Sequence, residues 1–143
     1  MKTIIALKGI GDSGKSTTIG MLYRLLSSNN NYHLVEKDYD PNGGDFIAVF
    51  SRNGMLIGIT SSGDKYDLVH DKLEKLINMG CVICVCACRS FDRYGHGTIA
   101  AISEFTNFQA LYIEKEIAIT PDQENAINHN DAQRLFEAIE GLI

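Results

Sequence analysis

The sequence predicts an α/β fold, a three-layer α/β/α sandwich whose sheet is mostly parallel and includes one antiparallel β-hairpin. Apolar strand-like runs alternate with amphipathic helix-like segments along the chain, which is typical of this class. An Asn-Gly pair joins two of the strand-like runs, and this pair is the strongest short hairpin signal. The 143 residues, of which 45% are hydrophobic, suffice for one compact core. We therefore expect a single domain over residues 1–143.

The first half of the chain is predicted to contain four strands and one helix. A buried strand over residues 2–8 precedes a helix over residues 15–28, whose apolar residues recur at helical spacing. A second strand is expected at residues 33–38. The stretch 45–64 then reads as two strands joined by Asn53-Gly54, which predicts the hairpin.

The second half alternates helices and strands. The predicted elements are a helix over 66–79 ended by Gly80, a strand over 81–88, a helix from about Thr98, a strand within 108–119 and a last helix from about Asp131. Thr120, Pro121 and Gln123 predict an N-cap, a first-turn proline and a capping-box partner for the helical turns that end the chain, the last of which is the helix from about Asp131.

The four cysteines all lie in one strand, within the sequence CVICVCACR. Strand alternation places Cys84, Cys86 and Cys88 on one face and Cys81 on the other, so they do not converge easily on one metal ion. A buried parallel strand reads as a continuous apolar run, and cysteine behaves as a small apolar residue. We expect core packing, with a metal or redox role as the alternative.

Composition narrows the class of partner. The formal net charge is -5 and no basic stripe is visible, which argues against nucleic-acid binding by phosphate neutralisation. The chain shows neither a signal-peptide pattern nor an apolar run of the roughly 20 residues that a membrane helix needs. These observations predict a cytoplasmic protein that does not bind membranes.

A glycine-rich motif carries the main functional signal. The stretch Gly9-Ile10-Gly11-Asp12-Ser13-Gly14-Lys15-Ser16 fits G-x-x-x-x-G-K-[ST] at every defined position, between a predicted strand and a predicted helix. The chain here resembles the P-loop (Walker A) nucleoside triphosphatases and kinases, which implies a P-loop fold that binds a nucleoside triphosphate. Backbone N–H groups of the loop and the helix N-terminus favour phosphate. The predicted phosphate-binding residues are Gly9, Gly11, Asp12, Ser13, Gly14, Lys15, Ser16 and Thr17.

Two of these residues have expected roles in catalysis and metal binding. Lys15 would bridge the β- and γ-phosphates, and the Ser16 hydroxyl would ligate Mg²⁺. The implied cofactors are ATP and Mg²⁺.

Two subgroups of the superfamily fit poorly. ATPases similar to partition and site-placing proteins carry a lysine where this chain has Ile10. The order of loop, helix and hairpin resembles that of Ras-like GTPases. Those proteins have D-x-x-G where this chain has Thr60 to Gly63, and they have N-K-x-D where it has Glu114-Lys115-Glu116. Without an aspartate to read guanine, ATP is the expected ligand.

Small-molecule and nucleotide kinases suggest further site residues. In these kinases an acidic group after the second strand contacts the acceptor, a position that Asp38 and Asp40 match. Arginines of a later loop close over the phosphates, and Arg89 and Arg93 stand in such a loop. Asp92-Arg93-Tyr94 also resembles a thymidylate kinase signature, although no other motif of those kinases is visible.

The acidic and basic candidates each have a structural alternative. Asp38, Asp40 and Asp64 are candidate Mg²⁺ ligands, but the first two also suit a solvated turn and Asp64 also suits a helix N-cap. Arg89 and Arg93 are candidates for stabilising the transferred phosphoryl group, although a surface ion pair would also explain Arg89. With Lys15 and Asp64 they form the predicted catalytic set.

The sequence therefore predicts a Mg-dependent ATP-binding protein that is an ATPase or a small phosphotransferase acting on the γ-phosphate, with water or a small acceptor attacking. The alternative is a regulatory module that hydrolyses ATP weakly or not at all and signals to a protein partner. A thymidylate-kinase-like nucleotide kinase and a GTPase are weaker alternatives.

Overall fold

A computed structural model describes residues 2–11, 13–39, 45–92 and 96–143. The strands are β1 Thr3–Lys8, β2 His33–Tyr39, β3 Phe46–Arg52, β4 Met55–Thr60, β5 Cys81–Cys88 and β6 Gln109–Glu114. The helices are α1 Lys15–Ser28, α2 Tyr66–Asn78, α3 Thr98–Ser103 and α4 Glu124–Gly141, the last preceded by a 3₁₀ turn at Pro121–Gln123. No helix within the described residues has the length and apolar character to cross a bilayer.

The six strands form one mixed sheet in the order β2-β3-β4-β5-β1-β6. β1 pairs in parallel with β5 and β6, and β4 pairs in parallel with β5. β3 is antiparallel to both of its neighbours, so it alone runs against the other five strands. The predicted α/β class and the β3–β4 hairpin are confirmed. Asn53 and Gly54 both have positive φ, as the central residues of a type I′ turn do.

Helices cover both faces of the sheet. On one face α1 and α4 contribute Leu22 and Leu135 to a buried apolar cluster. On the other face α2 and α3 contribute Leu73 and Ile102 to a second cluster. The sheet is therefore the middle of three layers, and the carboxyl ends of β1, β4 and β5 meet at one edge, where ligands bind in open α/β sheets.

The cysteines depart from the predicted alternation. All four are buried and unpaired, and Cys81 lies in the same apolar cluster as Cys84, Cys86 and Cys88. The prediction that Cys81 faces the other side is wrong because the β4–β5 register shifts between Leu56 and Ile57, so strict alternation is interrupted near the start of β5. Burial raises the pKa of Cys88 to about 12, as expected for a neutral core thiol. A hydrogen bond with Cys84 lowers the pKa of Cys81.

The end of the chain also differs from the prediction. α4 begins at Glu124, seven residues before Asp131, so Asp131 lies within the helix and is fully buried. Thr120 makes no side-chain cap, and Gln123 Oε1 instead accepts from the N–H of Ile119 at 3.2 Å. The capping box does not form because the 3₁₀ turn separates Thr120 from α4.

Candidate functional site

The glycine-rich segment joins β1 to α1 at the carboxyl edge of the sheet. Its first residue is anchored to the neighbouring strand, since the N–H of Gly9 donates to the carbonyl of Cys88 at 3.1 Å. Gly14 has φ +90° and stands directly before α1, where a Cβ would lie 2.7 Å from Asn128 Oδ1. Both its left-handed conformation and the close approach of Asn128 favour glycine here. Asp12 lies outside the described residues.

Lys15, the first residue of α1, folds its side chain back over the loop. Its Nζ donates to the carbonyls of Gly9 at 2.9 Å and Ile10 at 2.6 Å, and only 6% of the residue is exposed. Ser13 Oγ donates to the same Ile10 carbonyl at 2.7 Å. The ammonium group is therefore held against the loop backbone, with a hydroxyl beside it.

Ser16 is linked to an aspartate that the sequence analysis missed. Ser16 Oγ donates weakly to the carbonyl of Ser61, at 3.4 Å. The hydroxyls of Ser61 and Ser62 donate to the two carboxylate oxygens of Asp45, at 3.0 and 3.2 Å. Asp45 precedes β3, and the antiparallel β3–β4 pairing brings it to the end of β4. In the sequence, only the register of the predicted hairpin could have indicated that Asp45 lies near Ser61, because that register sets Phe46 opposite Ser61.

The predicted residues Asp64 and Arg89 lie together beside the loop. Arg89 Nη2 is 3.3 Å from Asp64 Oδ1, and both side chains are substantially exposed. The Arg89 guanidinium also lies against Gly11, closely enough that a Cβ there would clash with it. The N–H of Arg89 donates to Thr98 Oγ1 at 2.8 Å, which fixes its backbone to the start of α3. Arg93 lies outside the described residues.

Asp38 lies far from the loop. It belongs to β2, the edge strand that β3, β4 and β5 separate from β1, and its carboxylate is 3.6 Å from Lys75 Nζ. Asp40 lies outside the described residues. Within the described ranges, no group of three or more His, Cys, Asp or Glu side chains gathers as metal ligands do.

Two clefts adjoin the loop. A cleft of about 350 Å³ is lined by Ser13, Gly14 and Thr17 on one side and by Ile117 and Asn128 on the other. A larger cleft of about 650 Å³ touches Ile10 and Gly11 and extends between the β4–α2 and β5–α3 connections. The two clefts share no lining residue.

A buried ion pair between Lys115, which directly follows β6, and Asp131 of α4 lies behind the loop. Lys115 Nζ is 2.9 Å from Asp131 Oδ2, and both side chains are at most 1% exposed. The same Asp131 oxygen accepts from the N–H of Glu116 at 3.0 Å, and its other oxygen accepts from Arg134 Nη1 at 2.7 Å. A Cβ on Gly9 would lie 3.0 Å from Lys115 Cβ, so the pair lies directly behind the start of the loop. The ion pair between Lys115 and Asp131 was not predicted from the sequence.

Comparison of the chain with protein-family models, curated proteins and solved structures found no match. We therefore infer its function from its own residues and their geometry.

Proposed function

We propose that this protein binds ATP with Mg²⁺, its phosphates lying on residues 9–17, and that it acts as an ATPase or a small phosphotransferase. The observation that carries the proposal is the complete glycine-rich motif between β1 and α1, with Lys15 Nζ held against the loop backbone. The positive end of the α1 dipole adds to the attraction for phosphate.

The cleft of about 350 Å³ fits the adenine ring. Met21 and Ile117 give it apolar walls on which a flat ring can lie. The side-chain amides of Asn125 and Asn128 each offer a donor and an acceptor, which match the amino group and ring nitrogens of adenine. Because the cleft begins at Ser13 and Gly14, a nucleotide on the loop reaches it without a change of fold.

The residues near Ser16 suit Mg²⁺, which prefers oxygen ligands and keeps several waters. We propose that the Ser16 hydroxyl binds the ion directly, with Asp45 and Asp64 holding its waters. Asp45 is connected to Ser16 through Ser61, and Asp64 stands beside the loop with Arg89. The contact of Asp38 with Lys75 gives it no part in this arrangement.

The proposed reaction is an in-line transfer of the γ-phosphoryl group. An oxygen of water or of a small acceptor forms a bond to the γ-phosphorus while the bond to the β,γ-bridging oxygen breaks. The electron pair leaves with ADP, and the proton of the attacking hydroxyl passes to solvent. Lys15 and Arg89 would stabilise the charge on the transferred group, because both cations adjoin the loop.

We expect ATP to bind in preference to GTP. The guanine-reading motif N-K-x-D ends in an aspartate, and the corresponding stretch at the end of β6, Glu114 to Ile117, has isoleucine at that position. Calorimetry with each Mg-nucleotide measures this preference, and phosphate release from Mg-ATP is then followed with and without a panel of nucleosides and nucleotides. Release without an acceptor indicates an ATPase, and acceptor-dependent product indicates a kinase. A clear preference for GTP, or the absence of binding, would contradict the proposal.

Replacing Asp45 with asparagine is expected to weaken Mg²⁺ binding in the ATP complex by roughly tenfold, about 1.4 kcal/mol, because one negative charge near Ser16 is lost. The measurement is the Mg²⁺ concentration that gives half-maximal ATP binding. Asp122→Asn, an exposed carboxylate in the 3₁₀ turn, is the matched control. An unchanged Mg²⁺ requirement in Asp45→Asn would remove Asp45 from the metal site.

A regulatory nucleotide-binding module is the second candidate. It is favoured by large apolar side chains that are exposed around the loop and its clefts, namely Ile10 at 51%, Phe91 at 69% and Ile117 at 60%. Such residues suit contact with a protein partner that recognises the bound nucleotide. ATP binding without any phosphate release would favour this candidate over the enzyme.

A further inference from the structure

The larger cleft has the size of a small-molecule site. Its volume of about 650 Å³ falls within the range of roughly 300 to 1,000 Å³ that is usual for such sites. It adjoins the loop at Ile10 and Gly11, yet it shares no residue with the cleft assigned to adenine. An adenine ring in the smaller cleft therefore leaves the larger cleft open to a second molecule, next to the phosphates on the loop.

Aromatic rings form one side of the cleft. Tyr66 and His96 are stacked with their ring centres 4.1 Å apart, and both line the cleft. Behind them His70 stacks on Tyr66, and Phe105 stacks on His70. The Tyr66 hydroxyl also donates to Glu104, so the ring is fixed at both its face and its edge. A fixed aromatic surface favours a planar ligand because little side-chain entropy is lost on stacking.

Positive charge lies on the side of the cleft next to the loop. Arg89 lines the cleft and lies against Gly11, and Lys65 is a second, exposed cation of the lining. Of the two lining aspartates, Asp64 is 3.3 Å from Arg89, and both oxygens of Asp92 accept from backbone N–H groups of α3. The Asp92 carboxylate is thus already hydrogen-bonded, whereas the guanidinium retains donors for an anion.

We propose that this cleft binds a second small molecule that carries a planar aromatic ring and an anionic group. The ring lies against Tyr66, His96 and the exposed Phe91, and the anion lies at Arg89 and Lys65. Nucleoside monophosphates and aromatic carboxylates share this chemistry. The evidence for this binding site is the geometry of the cleft alone. Only the further role of the ligand as phosphoryl acceptor rests on the proposed function.

The test is calorimetric titration of the protein saturated with Mg²⁺ and a non-hydrolysable ATP analogue, so that the loop is filled. The probes are uridine and adenosine 5′-monophosphates, benzoate, the two nucleosides as rings without an anion, and ribose 5-phosphate as an anion without a ring. We expect a ring-bearing anion to bind at least tenfold more tightly than either fragment. Preference for the monophosphates or for benzoate identifies the source of the ligand.

Variants then locate the binding. Phe91→Leu and Arg89→Gln are each expected to weaken binding of the probe by roughly tenfold, as the loss of a stacking or charged contact does. Tyr39→Leu, another exposed aromatic but on β2, and Arg24→Gln on α1 are the matched controls and should leave it unchanged. Equal effects in variants and controls, or no saturable binding of any ring-bearing anion, would overturn the cleft assignment.

The Lys15→Ala variant separates this inference from the ATP proposal. If the variant loses ATP but still binds the ring-bearing anion, the cleft is a site in its own right. If the unmodified protein binds ATP but no ring-bearing anion, the cleft assignment fails and the ATP proposal stands.

Discussion

Replacing Lys15 with alanine is expected to abolish measurable ATP binding while the fold remains intact. The Lys15 ammonium lies at the loop backbone, where we place the β- and γ-phosphates. Removing one partner of a desolvated charge pair costs about 2 to 5 kcal/mol, which corresponds to a loss of affinity of roughly thirtyfold to several thousandfold. The Lys15 ammonium donates to the loop carbonyls of Gly9 and Ile10, and the residue belongs to neither apolar cluster, so its loss should leave both clusters unchanged.

Calorimetry with Mg-ATP measures this loss, and circular dichroism with thermal unfolding checks the fold. Lys2→Ala is the matched control, because it removes the same charge from an exposed position before the amino end of β1, away from the loop. The control should bind ATP normally. If Lys15→Ala is folded and binds ATP with unchanged affinity, residues 9–17 do not hold the phosphates.

Much of the fold follows from local patterns in the sequence. The period of the apolar residues predicted α1 and α2, and Asn53-Gly54 predicted the hairpin with its turn. Arg89 could be expected near the loop because it follows a strand whose carboxyl end meets the binding edge of an α/β sheet. The structure places it against Gly11. Patterns that depend only on neighbours along the chain are therefore informative here.

The errors come from features that depend on pairing between distant segments. Strand alternation placed Cys81 on the wrong face because a register irregularity between β4 and β5 cannot be read from β5 alone. Asp38 was expected to contact Mg²⁺ or the phosphoryl acceptor because it stands near the end of the second strand, but three strands separate β2 from β1 and the loop. Strand order is set by packing of the whole sheet, and the sequence of one strand does not specify it.

Asp45 and the Lys115–Asp131 pair were missed for a related reason. Asp45 meets Ser61 and Ser62 only because the hairpin brings together residues 16 and 17 positions apart. Lys115 follows β6 and Asp131 lies on α4, and each would read as an ordinary surface charge in a sequence where charged residues are common. Their burial behind Gly9 depends on the packing of α4 against the sheet, which neither residue's own segment specifies.

Replacing Asp131 with asparagine is expected to lower the free energy of unfolding by about 3 to 5 kcal/mol, because it leaves the Lys115 ammonium buried without its carboxylate. Stabilities of single domains are about 5 to 15 kcal/mol, so this is a large part of the total. ATP binding should also weaken in the folded fraction. Asp131 holds the N–H of Glu116, directly before Ile117 of the cleft that we propose for adenine, and Lys115 packs behind Gly9.

Urea unfolding followed by circular dichroism measures the change, with Asp122→Asn as a control that should shift stability by less than about 0.5 kcal/mol. The double variant Lys115→Met/Asp131→Asn tests the cause. It removes the unpaired charge, while asparagine can still accept from the N–H of Glu116, so it should be more stable than Asp131→Asn alone. If the single variant loses less than about 1 kcal/mol, or the double variant is no more stable, the buried charge is not what makes Asp131 necessary.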